Sequence, residues 1–128
     1  MIYFLKLEEV IKLHDRQIEL FGGSFGVRDQ NLLKSAIQMP KQSFGDEFLH
    51  KFPFEMAGAY LFHISKNHAF VDGNKRTAIF CTEVFLEING FEITANEKDL
   101  ENLVLETATG KLDKKQIAEF FAKNCKKN

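Results

Sequence analysis

The sequence predicts an all-α fold, a compact helical bundle with a short hairpin or flap before its central helices. Three observations predict it. Apolar residues recur at three- and four-residue spacing in segment after segment. Glycine, proline and Asx residues sit where those segments should start and stop. Strand-type alternation is scarce. The 128 residues suit a single domain, 1–128, and a hydrophobic content of 45% is enough for one sizeable core.

The elements follow in order. Leu7, Val10, Ile11, His14, Ile18 and Phe21 lie at helical spacing, and Gly22-Gly23 ends that helix. Ser24 to Arg28 reads as a turn. Asp29 caps a second short helix carrying Leu32, Leu33, Ala36 and Ile37, which Pro40 stops. Lys41 to Phe52 has no helical period and reads as a loop or small hairpin. Pro53 suits the first turn of a helix bearing Phe54, Ala57, Leu61 and Ile64. Gly58 inside it lowers helix propensity and implies close packing. Another helix follows the loop at 67–75, with Ala78, Cys81, Val84, Phe85 and Ile88 on one stripe, and closes at Asn89-Gly90. Phe91 to Thr94 reads as a short extended piece. Leu100, Leu103, Val104 and Thr107 mark a further helix ending at Gly110. Asp113 with Gln116 forms a capping box that opens the last helix, with Ile117, Phe120 and Phe121.

Composition narrows the function. A net charge of −1 argues against a general nucleic-acid binder, which carries a basic surplus, so no direct DNA binding is expected. Lys123, Lys126 and Lys127 read as solvating the chain end. Cys81 and Cys125 are far apart and lack metal-ligand spacing, which fits a reducing cytoplasm. The apolar start, Met1 to Leu5, soon meets charge and does not resemble a signal peptide; no run reaches membrane-spanning length. The 14 phenylalanines are expected chiefly in the core.

The chemistry concentrates in His68-Ala69-Phe70-Val71-Asp72-Gly73-Asn74-Lys75-Arg76-Thr77-Ala78. Taken one at a time, these residues have ordinary explanations. A histidine can cap helix carbonyls, Asp-Gly is a common turn pair, asparagine is a good helix cap, and Lys75 and Arg76 could be a solvated face. Together they supply what a metal-bound polyphosphate needs at one helix entrance. A helix N-terminus offers unpaired N–H groups and a positive dipole end. Lys75 and Arg76 add positive charge. The Asp72 carboxylate suits Mg²⁺, a hard cation that prefers oxygen ligands and substrate phosphates. Gly73 permits positive φ and close approach of backbone to ligand. An imidazole at 68 can take a proton from a hydroxyl nucleophile near neutral pH. Phe70 reads as a core plug that pins the loop.

This segment resembles the signature of the Fic/Doc family, H-x-F-x-[D/E]-G-N-x-R. His68, Phe70, Asp72, Gly73, Asn74 and Arg76 fill its six specified positions. At about 5% usage per residue type, a chance match is on the order of 10⁻⁶ to 10⁻⁷ per chain. The stretch Leu13 to Asp29 and the chain's short length also resemble the family's Doc (death-on-curing) branch. Typical adenylyl-transferring members have glycine where this chain has Lys75 and a second arginine where it has Ile79. Proline often follows the motif histidine, and here that residue is Ala69. Lys75 is a Doc feature.

The resemblance implies a toxin of a toxin–antitoxin system, transferring the terminal phosphate of a reversed nucleotide to a protein hydroxyl. The implied co-substrate is ATP or another nucleoside triphosphate with Mg²⁺. The implied target is a translation protein such as elongation factor Tu. It implies His68 as general base, Asp72 as Mg²⁺ ligand, and Gly73, Asn74, Lys75 and Arg76 as phosphate-binding residues. Lys41 to Phe52 would be the family's flap, aligning a target strand by β-augmentation. The chain carries no convincing self-inhibitory Ser/Thr-x-x-x-Glu helix. A separate Phd-like antitoxin with a disordered C-terminal segment is therefore expected, folding into an apolar groove, with Phe120 or Phe121 as an anchor. The alternatives are adenylyl transfer by the same site, a non-catalytic binding module of the same fold, and a metal hydrolase using His63 and His68. The last is disfavoured because residues five apart on a helix face different ways.

Overall fold

The computed structural model describes residues 1–128 and contains six helices. They are α1 (Leu7–Phe21), α2 (Gln30–Gln38), α3 (Phe54–Asn67), α4 (Asn74–Ile88), α5 (Glu97–Ala108) and α6 (Lys114–Lys123). Two small antiparallel pairs accompany them. β1 (Ser43–Phe44) pairs with β2 (Glu47–Phe48), Ser43 opposite Phe48. β3 (Phe91–Ile93) pairs with β4 (Cys125–Lys127), Phe91 opposite Lys127.

The helix boundaries have local causes. The Asp29 carboxylate accepts from Leu32 N–H, and Asp113 and Gln116 form the reciprocal capping box. Gly22, at φ 86°, ends α1 and donates its N–H to Ile18 O. Pro40 stops α2 as expected, the α-helix ending at Gln38, and Met39–Lys41 winds on as a single 3₁₀ turn with Pro40 in its first positions, where no N–H is needed. Two boundaries differ from expectation. Pro53 lies one residue before α3 as its N-cap. Gly73, not Asn74, caps α4, and Asn74 is the first helical residue. The lysine-rich tail is solvent-exposed as expected, but β4 orders it along β3, a pairing the sequence pattern did not reveal.

Helix α3 is the centre of the bundle, packed by α2, α4, α5 and α6. Met56, Ala57, Ala59, Tyr60, Leu61 and Ile64 are all buried, so this helix is apolar on most faces. Gly58 brings α6 close: a β-carbon there would lie 3.2 Å from Lys114 O and 3.4 Å from Ala118 N. Tyr60 keeps its hydroxyl satisfied by accepting from Leu5 N–H at 3.0 Å. The core adds Val10, Leu33, Phe70, Phe85 and Phe121, each side chain contributing about 1.5–3 kcal/mol on full burial. Phe120 stays half-buried beside its core neighbour Phe121, as their 100° separation on a helix requires.

The expected hairpin exists, turning at Gly45 with φ 64° and leaving Phe44 82% exposed. Both cysteines are free. No helix is long and apolar enough to cross a membrane.

Candidate active site at the entrance of helix α4

The motif loop joins the two most central helices, so its ends are fixed by the core. His68 is the C-cap of α3, in the left-handed region at φ 50°, ψ 44°. Its side chain is exposed, while Ala69 and Phe70 beside it are buried. Residues 26–29 run antiparallel to the loop and hold it by backbone bonds. Arg28 N–H and Asp29 N–H both donate to Ala69 O (2.7 and 3.0 Å), and Val71 N–H donates to Gly26 O at 3.0 Å. The Arg28 side chain donates to His68 O from Nε at 2.8 Å and again from Nη2.

Phe70 is the plug expected from the sequence, 1% exposed. Its ring lies flat on His14, centroids 3.8 Å apart and planes 4° apart. His14 Nε2 lies 2.7 Å from Asp72 O. A carbonyl only accepts, so Nε2 carries the proton and donates. His14 thus supports the loop twice, by stacking and by hydrogen bonding.

The Asp72 carboxylate is pre-set rather than free. Oδ1 accepts from Gly73 N–H at 2.9 Å and Oδ2 from Ser24 N–H at 3.2 Å. Gly23 must be a glycine here, since at φ 113° a β-carbon would sit 2.6 Å from Asp72 Oδ2. Gly73, at φ 77°, similarly lets the chain pass Ile18 and His14.

Asn74 has a local task. Its Oδ1 accepts from Phe70 N–H at 2.9 Å and its Nδ2 donates to Phe70 O at 3.0 Å, so one amide closes the loop on itself. The side chain expected to hold phosphate is therefore engaged with the backbone. What Asn74 offers a ligand is its own N–H. The N–H groups of Asn74, Lys75 and Arg76 precede the first helical acceptor and have no protein partner, whereas Thr77 N–H already donates to Gly73 O. Lys75 and Arg76 are exposed, and the Arg76 guanidinium lies 4.7 Å above the Phe21 ring.

The loop thus brings His68, Asp72, Gly73, Asn74, Lys75 and Arg76 to the entrance of one helix. An anion placed there would meet three free N–H groups, the positive end of the α4 dipole and two cations. The donor set also suits Mg²⁺ carried by a polyphosphate. No group of three His, Cys, Asp or Glu side chains gathers for a protein-only metal centre. A single oriented carboxylate, Asp72, with the remaining ligands from phosphate and water, is the arrangement that ion prefers.

His63 is not part of this loop. With His50 it faces Lys114, whose Nζ lies 3.2 Å from His63 Nε2 and 3.3 Å from His50 Nε2. Burial, then Lys114 and then His50, push His63 down to about 4. A cleft of about 660 Å³ opens beside His50, Phe52, Lys114 and Ala118, and a second of about 450 Å³ between α5 and α6 is lined by Leu103, Leu112 and Phe120. Neither contains a motif residue.

Sequence reading missed His14 and Arg28 as parts of this site. His14 sat in the apolar stripe of α1 and Arg28 in a turn. The only signal touching them was that both lie in the stretch Leu13 to Asp29.

Comparison with known proteins places the chain among sequences of one family. Residues 4–86 match the profile described as the Fic/DOC family. The chain is 39% identical over 104 residues to "Toxin Doc" of Mycolicibacterium smegmatis, covering 80% of each chain. It is 31% identical over 112 residues to "Protein kinase doc" of Escherichia phage P1, covering 88% of this chain and 87% of that one.

Proposed function

The chain belongs to the Fic/Doc family, and from that premise we propose that it is a Doc-like toxin that transfers the terminal phosphate of a nucleoside triphosphate to a protein hydroxyl. The observation that carries this reading is the open entrance of α4, where three unpartnered N–H groups, Lys75 and Arg76 adjoin an exposed His68 and an oriented Asp72. The relatives named toxin and protein kinase support the direction of transfer, as does Lys75 in place of the glycine of adenylyl-transferring members.

In this reading the N–H groups of residues 74–76 bind phosphate oxygens, and Lys75 and Arg76 neutralise the charge that spreads over the transferred group. Mg²⁺, held by Asp72 and the nucleotide, would supply further charge neutralisation. His68 accepts the proton of the target hydroxyl as its oxygen forms a bond to the terminal phosphorus. The bond from that phosphorus to the bridging oxygen breaks, and the nucleoside diphosphate leaves. The β1–β2 hairpin, with Phe44 exposed, is a surface on which a target segment could align. A translation protein such as elongation factor Tu is the target class, and a Phd-like antitoxin the controlling partner.

The test uses nucleotide labelled at the α- or γ-phosphate, Mg²⁺ and a translation extract. Label from the γ-position alone on a protein, lost in His68→Ala with the fold intact, is the expected result. Label from the α-position would replace this reading with adenylyl transfer. No label from either would favour a binding module.

A further inference from the structure

We propose that Arg28 is a positioning residue for His68: its guanidinium fork holds the His68 carbonyl so that the backbone stays left-handed and the imidazole stays at the site. This rests on the phosphotransfer reading for its catalytic consequence, though not for its geometry.

Eight residues of the chain have positive φ. Seven are glycines, and the eighth is His68. Side chains with a β-carbon rarely adopt this region, and persist there when their surroundings over-determine it. Ending α3 does not itself need a histidine, because glycine closes helices in this conformation with less strain. The surroundings of His68 do over-determine it. Arg28 donates to its carbonyl from Nε at 2.8 Å and from Nη2, and the next carbonyl, of Ala69, accepts from the N–H groups of Arg28 and Asp29. Two consecutive carbonyls are thus captured by two consecutive residues lying 40 positions earlier. A guanidinium suits the task because its donors diverge in a fixed plane and it is always charged. Arg28 is itself exposed and outside the apolar core, so its side chain can be changed without opening a cavity.

The experiment compares the full-length protein with Arg28→Met and Arg28→Lys. Three quantities are read: the His68 backbone conformation from the NMR shifts of its Cα and Cβ, the kcat and nucleotide KM of transfer, and the melting temperature. In Arg28→Met the His68 shifts should leave the left-handed range. There kcat should fall about a hundredfold, as expected for a misplaced catalytic group, with nucleotide KM within about twofold of the parent. Arg28→Lys, which keeps one charged donor, should recover part of kcat and of the shifts.

Unchanged His68 shifts in a folded Arg28→Met protein overturn the proposal. So does a raised nucleotide KM at unchanged kcat, which would make Arg28 a phosphate ligand. Unfolding of both variants overturns it as well, since the clamp would then serve the domain and not the histidine. If the parent protein transfers nothing, the functional reading fails, and the His68 shifts still decide the role of Arg28.

Discussion

Asn74→Ala separates the two tasks that its side chain could perform. The amide makes two bonds to the backbone of the buried Phe70, at 2.9 and 3.0 Å. Each is worth about 1 kcal/mol net, and a buried group left without a partner raises the loss toward about 1–3 kcal/mol. Better helix propensity of alanine returns at most about 0.7 kcal/mol. The expected loss is therefore about 2–4 kcal/mol. At about 4 °C per kcal/mol for a chain of this length, the melting temperature should drop by ~8–16 °C. Asn74→Asp keeps an acceptor for Phe70 N–H but sets a carboxylate oxygen against Phe70 O, so it should be destabilised too. Thermal and urea melts give the stabilities, and titration with a nucleotide gives affinity at a temperature where each variant is folded. An unchanged melting temperature in Asn74→Ala, with nucleotide affinity reduced tenfold, would refute this account and make the amide a phosphate contact.

Other substitutions probe the rest of the frame. Gly23→Ala should displace the Asp72 carboxylate, because its β-carbon would fall 2.6 Å from Oδ2 at a φ of 113°; a stability loss of about 1–3 kcal/mol and at least about tenfold weaker Mg²⁺-dependent transfer are expected, read from melts and a metal titration. Gly58→Ala should lower stability by about 1–2 kcal/mol despite the gain in helix propensity, since α6 backbone lies 3.2 Å from the added carbon; a more stable variant would mean that α6 yields freely. His63 is held down to about 4 from 6.5, so the unfolded chain binds its proton first, and the stability it contributes is present above pH 6.5 and lost as pH falls toward 4. Allowing for its partial exposure, the effect is on the order of 1–2 kcal/mol. Urea melts between pH 7.5 and pH 4.5 should show a shallower decline in His63→Gln than in the parent, and equal slopes would contradict it.

Much of the frame was legible because it is local. The stripe of α1 as far as Ile18 (Phe21, expected on it, is exposed), the Asp29 cap, the Asp113–Gln116 box and the Asn89-Gly90 stop each depend on residues within a few positions of one another. The family motif was legible for the same reason, since six of its residues lie in nine positions. Asn74 marks the limit of that reading. An asparagine at a helix entrance suits a cap, an anion contact or a loop staple, and only the placement of Phe70 selects the staple. Pro40 is similar: its missing N–H ends an α-helix, but whether the chain then extends or tightens into a 3₁₀ turn depends on what it packs against.

The sequence by itself determined the helical class, the helix positions and the convergence of a histidine, a carboxylate and a helix N-terminus, because periodicity, capping and short motifs act over one or two turns. The tertiary structure alone decided which distant residues hold that site in shape. His14 reaches Asp72 across 58 positions, Arg28 reaches His68 across 40, and β4 returns to β3 from the end of the chain. Such bonds leave no period in the sequence. A histidine in an apolar stripe and an arginine in a turn acquire their partners only when burial of the α3 core brings the two stretches together.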